Sequence, residues 1–374
     1  MARKIVVAAA QLGAVHLTTP RKAMLDRMIA LLEEAVSKGA QLVVYPETAF
    51  TTFFPRFLFK DDAELDSFFE HGADLPKSPN MAPLFEKVSQ LKVDIQVGFA
   101  ERTPEGKSFN TAVYYSGELK KIISKYRKIH LPGTVEPFED PDAVNQLEKR
   151  YFEPGDLGFE AFRAPGLLAG VLKQEDVGGR PSRELEGKGD PILGMMICND
   201  RRWPESWRCL ALQGCELVLC GYNTAGYAPE LFNSLKQSTL EEAEKESIYH
   251  HKLVMKANSY MNSCFSVSAA RAGMDDGKYL LIGASCITSS EGHVLAEATG
   301  KDDEVVIAEI DLEEARQGKT KVGWPTTILK TKSSKLTGPK LFDFHRHRRP
   351  EAYTIISSQT GVVEPAFLSR EEST

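Results

Sequence analysis

Nowhere in the 374 residues does an apolar run approach the roughly 20 residues that a membrane-crossing helix needs. No two cysteines are spaced as Cys-x-x-Cys, and no histidines follow at finger-like spacing, so a metal site is not expected. Basic charge is not in excess either. Lys and Arg number 46 against 52 Asp and Glu, a net charge of −6, the wrong sign for a nucleic-acid footprint. Internal repeats are missing, and no Pro/Gly/Ser-rich linker divides the chain into self-sufficient halves. The opening residues Met1 to Gln11 carry two basic residues and no small-residue cleavage site. They read as a first strand rather than a signal peptide, which leads to the expectation of a cytoplasmic protein.

What remains is an ordinary globular composition, 42% hydrophobic and 26% charged, with enough apolar residues for a core without disulfides. Six cysteines are present, Cys198, Cys209, Cys215, Cys220, Cys264 and Cys286. In a reducing compartment most of them are expected to serve as small buried apolar residues, with one or two left for chemistry.

The patterning alternates strand and helix. Lys4 to Leu12 reads as a buried strand, and Pro20 opens a helix with Met24, Met28, Leu31, Leu32 and Ala35 at helical spacing, closed by Gly39. Leu42 to Tyr45 reads as a second buried strand. Helices are expected over Asp61 to Glu70 and Met81 to Leu91, a strand over Asp94 to Glu101, and a hairpin over Asn110 to Tyr115 and Leu119 to Lys125. Thr134 to Arg150 reads as irregular. Pro191 to Cys198 and Glu216 to Gly221 read as strands around a helix from Arg202 to Gln213. A long helix follows over Leu240 to Asn262, then strands over Cys264 to Ala270, Leu281 to Thr288 and Glu304 to Ile310, with Asp311 capping a last short helix. This order predicts an α/β layered protein, partly antiparallel, in one large domain.

Three residues carry chemistry by position. Cys198 ends an apolar strand just before a helix, where a turn aims its side chain at open space and exposed N–H groups would favour a thiolate. Glu47 follows Tyr45-Pro46 at a strand end, the carboxyl edge where ligand sites of α/β folds gather, and a carboxylate there can shuttle a proton. Lys128 lies in a basic run whose strand alternation sends only some members inward, and an ammonium beside a thiolate can also hold an oxyanion. Each residue alone also fits a structural role. Together they form a set able to act on a carbonyl carbon.

In that order, Tyr45-Pro46-Glu47, Lys125-Tyr126-Arg127-Lys128-Ile129-His130-Leu131-Pro132-Gly133 and Ile197-Cys198-Asn199-Asp200 resemble the signature segments of the nitrilase superfamily. Leu147 to Phe159, Cys198 to Glu205, Thr51 to Arg56 and Gly221 to Thr224 resemble most closely the N-carbamoyl-D-amino acid amidohydrolases. The likeness runs from about Lys4 to about Ile356. It implies an α/β fold, a four-layer α-β-β-α sandwich of the nitrilase type, with Glu47, Lys128 and Cys198 as catalytic set and Glu148 as a second carboxylate. It implies a homo-oligomer, dimer or tetramer, packed through helices near the site.

Arg201 and Arg202, beside the nucleophile, suit a substrate carboxylate. Asn199, Asn223 and Thr224 are further candidates for polar contacts, and His130 for orienting Lys128 or its loop. The implied partner is a small carboxylate-bearing substrate, with no nucleic acid, no membrane, no metal and no cofactor. The reaction implied is hydrolysis of N-carbamoyl-D-amino acids. Another amide, ureido-acid or nitrile hydrolase, or an inactive binding protein on the same scaffold, are the alternatives.

The expected domain spans 1–360, with a surface insertion near 163–190 and an oligomerisation arm from about 340 that holds the basic run His345 to Arg349. Residues 361–374 read as a tail. Gln146 departs from the pattern, standing where close relatives carry a histidine.

Overall fold

The computed structural model describes residues 3–71, 75–168, 190–231, 238–319, 345 and 348–363. The chain divides into two compact units, Met1–Thr320 and Lys321–Thr374. Most of the expected insertion, residues 169–189, lies outside the described residues. So do 341–344 and 346–347 of the expected arm and 364–374 of the tail. In the second unit the described backbone forms a 3-10 turn at Pro350–Ala352 and a short helix at Thr354–Ser358.

The first unit is built on alternation. In β1 (Lys4–Gln11) Val7 and Ala9 face one way and Ala8 and Ala10 the other, and both faces are buried. β2 (Leu42–Val44) repeats the pattern, with Leu42 and Val44 opposite Val43. A strand apolar on both faces needs a layer on each side. On one side stand α1 (Arg21–Ser37) and α2 (Ala82–Leu91), whose Met24, Met28, Leu32, Leu84 and Val88 pack against Ala8, Ala10 and Val43. On the other side lies the second sheet.

The first sheet runs β15-β1-β2-β4-β5-β6, with β3 (Phe69–His71) also against β4 (Asp94–Arg102). Its other members are β5 (Ser108–Ser116), β6 (Lys121–Arg127) and β15 (Glu304–Asp311). β1, β2 and β4 are parallel, and β15 and β5 close onto them antiparallel.

The second sheet runs β14-β13-β10-β9-β8-β7. Its parallel centre is β8 (Ile192–Ile197), β9 (Leu217–Tyr222) and β10 (Phe265–Ala270). Its flanks are β7 (Ala161–Arg163), β13 (Cys286–Thr288) and β14 (Val294–Glu297). Leu193, Met195, Ile197, Leu217, Leu219 and Val267 meet the first sheet in a shared core. Met196, Val218 and Cys220 turn outward to Trp207 and Leu210 of the helix Pro204–Leu212 and Met255 of the helix Leu240–Asn262. The order is therefore α-β-β-α. Each buried Leu, Met or Val contributes about 1.5–3 kcal/mol by leaving water.

Local chemistry sets the boundaries. Gly39 stops α1 with a φ of 91°. The long helix begins on a capping box, Thr239 Oγ1 accepting from Glu242 N at 3.2 Å while the Glu242 side chain accepts from Thr239 N at 2.9 Å. Asp311 Oδ1 accepts from Glu313 N at 3.0 Å, capping Leu312–Lys319 as expected.

Three expectations need correction. The helix from Asp61 covers only Asp62–Asp66, because Phe69 turns into a cluster with Phe54 and Phe152 and pairs with β4 instead. Leu281 to Thr288 is not one strand. Gly283 (φ 59°) and Ala284 (φ 61°) turn the chain between β12 (Tyr279–Ile282) and β13, and β12 pairs with β11 (Ala272–Asp275) in a separate ribbon. The segment expected to be irregular ends in a helical turn at Glu148–Tyr151. All six cysteines are free, and all but Cys209 are buried. Among the described residues, no helix is long and apolar enough to cross a membrane.

Candidate active site

The central strands β2, β8 and β9 end on one edge of the sandwich. Glu47 follows β2, Cys198 follows β8 and Asn223 follows β9. The segment Tyr45-Pro46-Glu47 runs between two glycines of neighbouring strands. A Cβ on Gly221 would lie 2.6 Å from Tyr45 O and 2.8 Å from Glu47 N. One on Gly98 would lie 2.9 Å from Pro46 O and 3.0 Å from Glu47 Cα. At each glycine the shortest approach is under 3.0 Å to main-chain atoms, too short for a real Cβ, so bare backbone is needed on both sides.

Glu47 is sealed from solvent and fully bonded. Its Oε1 accepts from Asn110 Nδ2 and from Lys128 Nζ, each at 2.7 Å, and its Oε2 accepts from Asn223 N at 3.1 Å. Lys128 extends β6 by one residue, its N donating to Asn110 O at 2.8 Å, and its side chain is buried between two carboxylates. The second is Glu148, whose Oε2 takes a bond from Lys128 Nζ at 2.5 Å and whose Oε1 takes one from Gln146 Nε2 at 2.7 Å.

Burial opposes the charge on Lys128, but Cys198, Glu148 and Glu47 outweigh it and hold the ammonium protonated. Burial pushes Glu148 up to about 7, against the pull of Lys128 and with the help of Glu47. Removing any one charge from such a cluster strands the others in a medium that solvates them poorly.

Cys198 opens a five-residue 3-10 turn, Cys198–Arg202, and itself takes the left-handed conformation at φ 49°. Its Sγ donates to Asn223 O at 3.4 Å. Thiol and carboxylate thus flank one residue, since the Asn223 amides bind Glu47. The turn is closed by Asp200, which accepts from Tyr126 Oη at 2.7 Å, His130 N at 2.9 Å and Ile197 N at 3.2 Å.

The thiol is not acidic, which corrects the expectation of a thiolate. Burial first, then Glu47, push it up to about 11, and Lys128 and Arg201 offset only part of this. A short 3-10 turn supplies too little dipole to reverse that balance.

A cavity of about 190 Å³ opens onto Cys198, with Gln146, Asn199, Arg201, Arg202, Asn223 and Thr224 on its wall. The arginines behave differently. Arg201 is buried, its Nη1 donating to Cys198 O at 2.6 Å, its Nη2 to Thr224 Oγ1 at 2.8 Å and its Nε to His251 Nδ1 at 3.2 Å, while its guanidinium lies 4.5 Å above the Tyr222 ring. Arg202 reaches the exposed rim. The packing around its guanidinium, and then Arg201, push it down to about 10.

The geometry brings Glu47, Lys128, Glu148 and Cys198 together. It turns the other candidates partly to framework. Asn199 Nδ2 donates to His130 O at 3.2 Å, Asn223 Nδ2 donates to Glu47 O at 2.9 Å, and Thr224 accepts from Arg201. His130 pairs with Asp200 at 2.8 Å beside the ring of Trp203.

Asn110, Asp200, Tyr126 and His251 escaped the sequence reading. Asp200 and Tyr126 stand within the Cys198 and Lys128 segments, but nothing in the sequence pairs them. Asn110 and His251 carry no signal until the fold brings them in. His251 is neutral, because burial and then Arg201 push its pKa well below the usual imidazole range. Among the described residues, no group of three or more His, Cys, Asp or Glu is placed to hold a metal ion.

A family model described as carbon-nitrogen hydrolase matches residues 6–320, and the chain belongs to that family, enzymes acting on C–N bonds. A nitrilase from Pyrococcus abyssi (strain GE5 / Orsay) is 30% identical over 283 residues, 75% of this chain and 81% of that protein. An N-carbamoylputrescine amidase from Oryza sativa subsp. japonica is 26% identical over 366 residues, 96% of each. The crystal structure of a carbon-nitrogen hydrolase from Helicobacter pylori G27 matches with a TM-score of 0.68 at 21% identity, covering 95% of this chain and 99% of that one. The sandwich is thus the nitrilase fold. None of these three proteins is named for N-carbamoyl-D-amino acids.

Proposed function

We propose that the protein hydrolyses an N-carbamoyl group on a carboxylate-bearing substrate, an N-carbamoyl-D-amino acid in the first instance, through a thioester on Cys198. The observation that carries this reading is one cavity wall holding the Cys198 thiol and the Arg202 guanidinium, backed by the Glu47–Lys128–Glu148 cluster. A thiol held near 11 needs a base at neutral pH, and Glu47 takes its proton. The sulfur attacks the carbamoyl carbon, and the oxyanion is met by Lys128 Nζ and backbone N–H groups of the Cys198 turn. Glu47 returns the proton to the departing nitrogen, which leaves as ammonia. Water, deprotonated by Glu47, then cleaves the thioester, and the carbamic acid released breaks down to carbon dioxide and the amino acid. Protein groups supply the nucleophile and all proton transfers in this route.

The charge of the wall favours an acid over an amine. A cationic substrate, such as the one for which the rice relative is named, would meet Arg202 with the same sign. Arg202, on the cavity wall with Cys198, is the arginine assigned to the carboxylate, and Arg201, which donates to Cys198 O and Thr224 Oγ1, steadies the turn. Preference for the D form rests on the resemblance of the Leu147 to Phe159 and Cys198 to Glu205 segments.

The test is ammonia release from N-carbamoyl-D-phenylalanine and its L-enantiomer, with Cys198→Ala as control. Turnover of the D form that disappears in the mutant is expected. Turnover of neither, by folded protein with a reactive thiol, would move the substrate to another amide. Faster turnover of simple amides than of either carbamoyl acid would do the same.

A further inference from the structure

Gln146 is the cavity-wall side chain that bonds directly to the buried Glu148. Both of its ends are fixed. At the backbone, Gly133 approaches so closely that a Cβ there would lie 1.7 Å from Gln146 O, and Thr134 N donates to that same oxygen at 3.0 Å. At the tip, Nε2 donates to Glu148 Oε1 at 2.7 Å, while Lys128 holds the other carboxylate oxygen.

With the NH2 given to Glu148, the amide oxygen of Gln146 is turned away from that carboxyl group. Gln146 Oε1 accepts no hydrogen bond from any described residue. The side chain therefore offers a pre-aimed acceptor at the cavity wall it shares with Cys198.

Resting on the reading of Cys198 as nucleophile toward a C–N bond, we propose that Gln146 is a specificity-determining residue that selects for a substrate N–H. Its Oε1 accepts from the carbamoyl or amide nitrogen that is to depart. A methyl ester or carbamate ester, which carries oxygen in that place, cannot make this bond and faces the Gln146 oxygen with another acceptor. A site built around a donor rejects the analogue lacking it far more strongly than an apolar pocket rejects a missing methylene.

The experiment uses N-carbamoyl-D-phenylalanine and N-methoxycarbonyl-D-phenylalanine, which yield the same acyl-enzyme and differ only in the leaving group. Their dissociation constants are measured by calorimetry on Cys198→Ala protein with Gln, Met or His at position 146. With Gln146 the carbamoyl compound is expected to bind about tenfold tighter than its ester counterpart, about one hydrogen bond's worth. Gln146→Met should bring the ratio near one. Gln146→His should keep it, because one ring nitrogen can donate to Glu148 while the other accepts. The ratio of kcat/KM for the two compounds, with Cys198 intact, should move the same way.

A ratio unchanged by Gln146→Met would overturn the proposal, since a residue that only supports Glu148 affects both compounds alike. A ratio lost in Gln146→His as well as in Gln146→Met would also overturn it. Failure of the intact protein to turn over either compound, with neither bound by the Cys198→Ala protein, would defeat the reading of the site itself and this proposal with it.

Discussion

The two sheets bring unlike halves to one edge. The first supplies Glu47 and Lys128, which with Glu148 and Asn110 form a sealed cluster of charge closed by bonds of 2.5–2.7 Å. The second supplies Cys198 and Asn223 on a cavity wall, with Arg201 folded back beneath the turn. The proton-holding groups are thus buried away from bulk solvent, and the bond-forming residue lies on the cavity wall. Since no strand is shared, the registration of base and thiol depends on how the sheets pack, with Asn223 bonded to both sides of the seam.

The sharpest way to break this comparison is to empty the open half alone. Cys198→Ala should lower turnover by at least about 10⁴-fold. Its urea midpoint should stay close to that of the parent, because the hydrogen bonds of the thiol are long, to Asn223 O at 3.4 Å and from Arg201 Nη1 at 3.9 Å. Ammonia release and urea denaturation together decide it. A mutant retaining a tenth of the activity would remove Cys198 from the mechanism.

Emptying the sealed half should do the reverse and strike at folding. Lys128→Met leaves two buried carboxylates facing each other, and a loss of about 3–5 kcal/mol at pH 8 is expected. The pH dependence follows from the sign. Without the ammonium, the carboxylates hold protons more tightly folded than unfolded, so the mutant gains stability as pH falls and the deficit narrows by pH 5. Parallel denaturation series at the two pH values would show it, and a deficit that did not narrow would contradict the cluster's charge state.

On the rim the effect is smaller and confined to substrate. Arg202→Met is expected to raise KM for a carbamoyl acid by about 10- to 100-fold, a lost charged hydrogen bond or two. KM for a neutral amide without a carboxylate should change much less, and equal increases would reassign Arg202.

The mildest contrast lies within the sealed half. Glu148 is held up to about 7, above its ordinary carboxylate value of 4.5. The folded state therefore binds its proton more tightly, so this contribution to stability is present at acid pH and is lost as pH rises toward 7. Wild-type stability should fall between pH 5 and pH 8 more steeply than that of Glu148→Gln. Parallel slopes would count against it.

Much of this site could be read from the chain. Glu47 and Cys198 each follow an apolar run that stops abruptly, and that pattern marks the edge of a parallel sheet. Lys128 was legible because alternation along β6 turns only part of the basic run inward. The direction of Arg201 was not, since a 3-10 turn and an α-helical one send the fourth residue to different places. Its partners Thr224 and His251 arrive from the end of β9 and from the long helix. Asp200 was in view, but its role needs Tyr126, 74 residues away. The acidity of Cys198 was misjudged because position gives the dipole and not the burial. Gly283 and Ala284 broke an expected strand because a left-handed pair leaves no trace in hydropathy.

The bare backbone at Gly98 and Gly221 has a bearing on attempts to reshape this enzyme. Neither residue is on the cavity wall, yet a single methyl at either one would press on the segment bearing Glu47 by way of the main chain. In a random library both positions should register as intolerant, and their silent clones should still display a thiol that takes up alkylating agent. Variation intended to change what enters the cavity belongs elsewhere on the wall, around Ala225 and Leu231, which pack with Val144 and Ala228 in a small cluster apart from the core between the sheets.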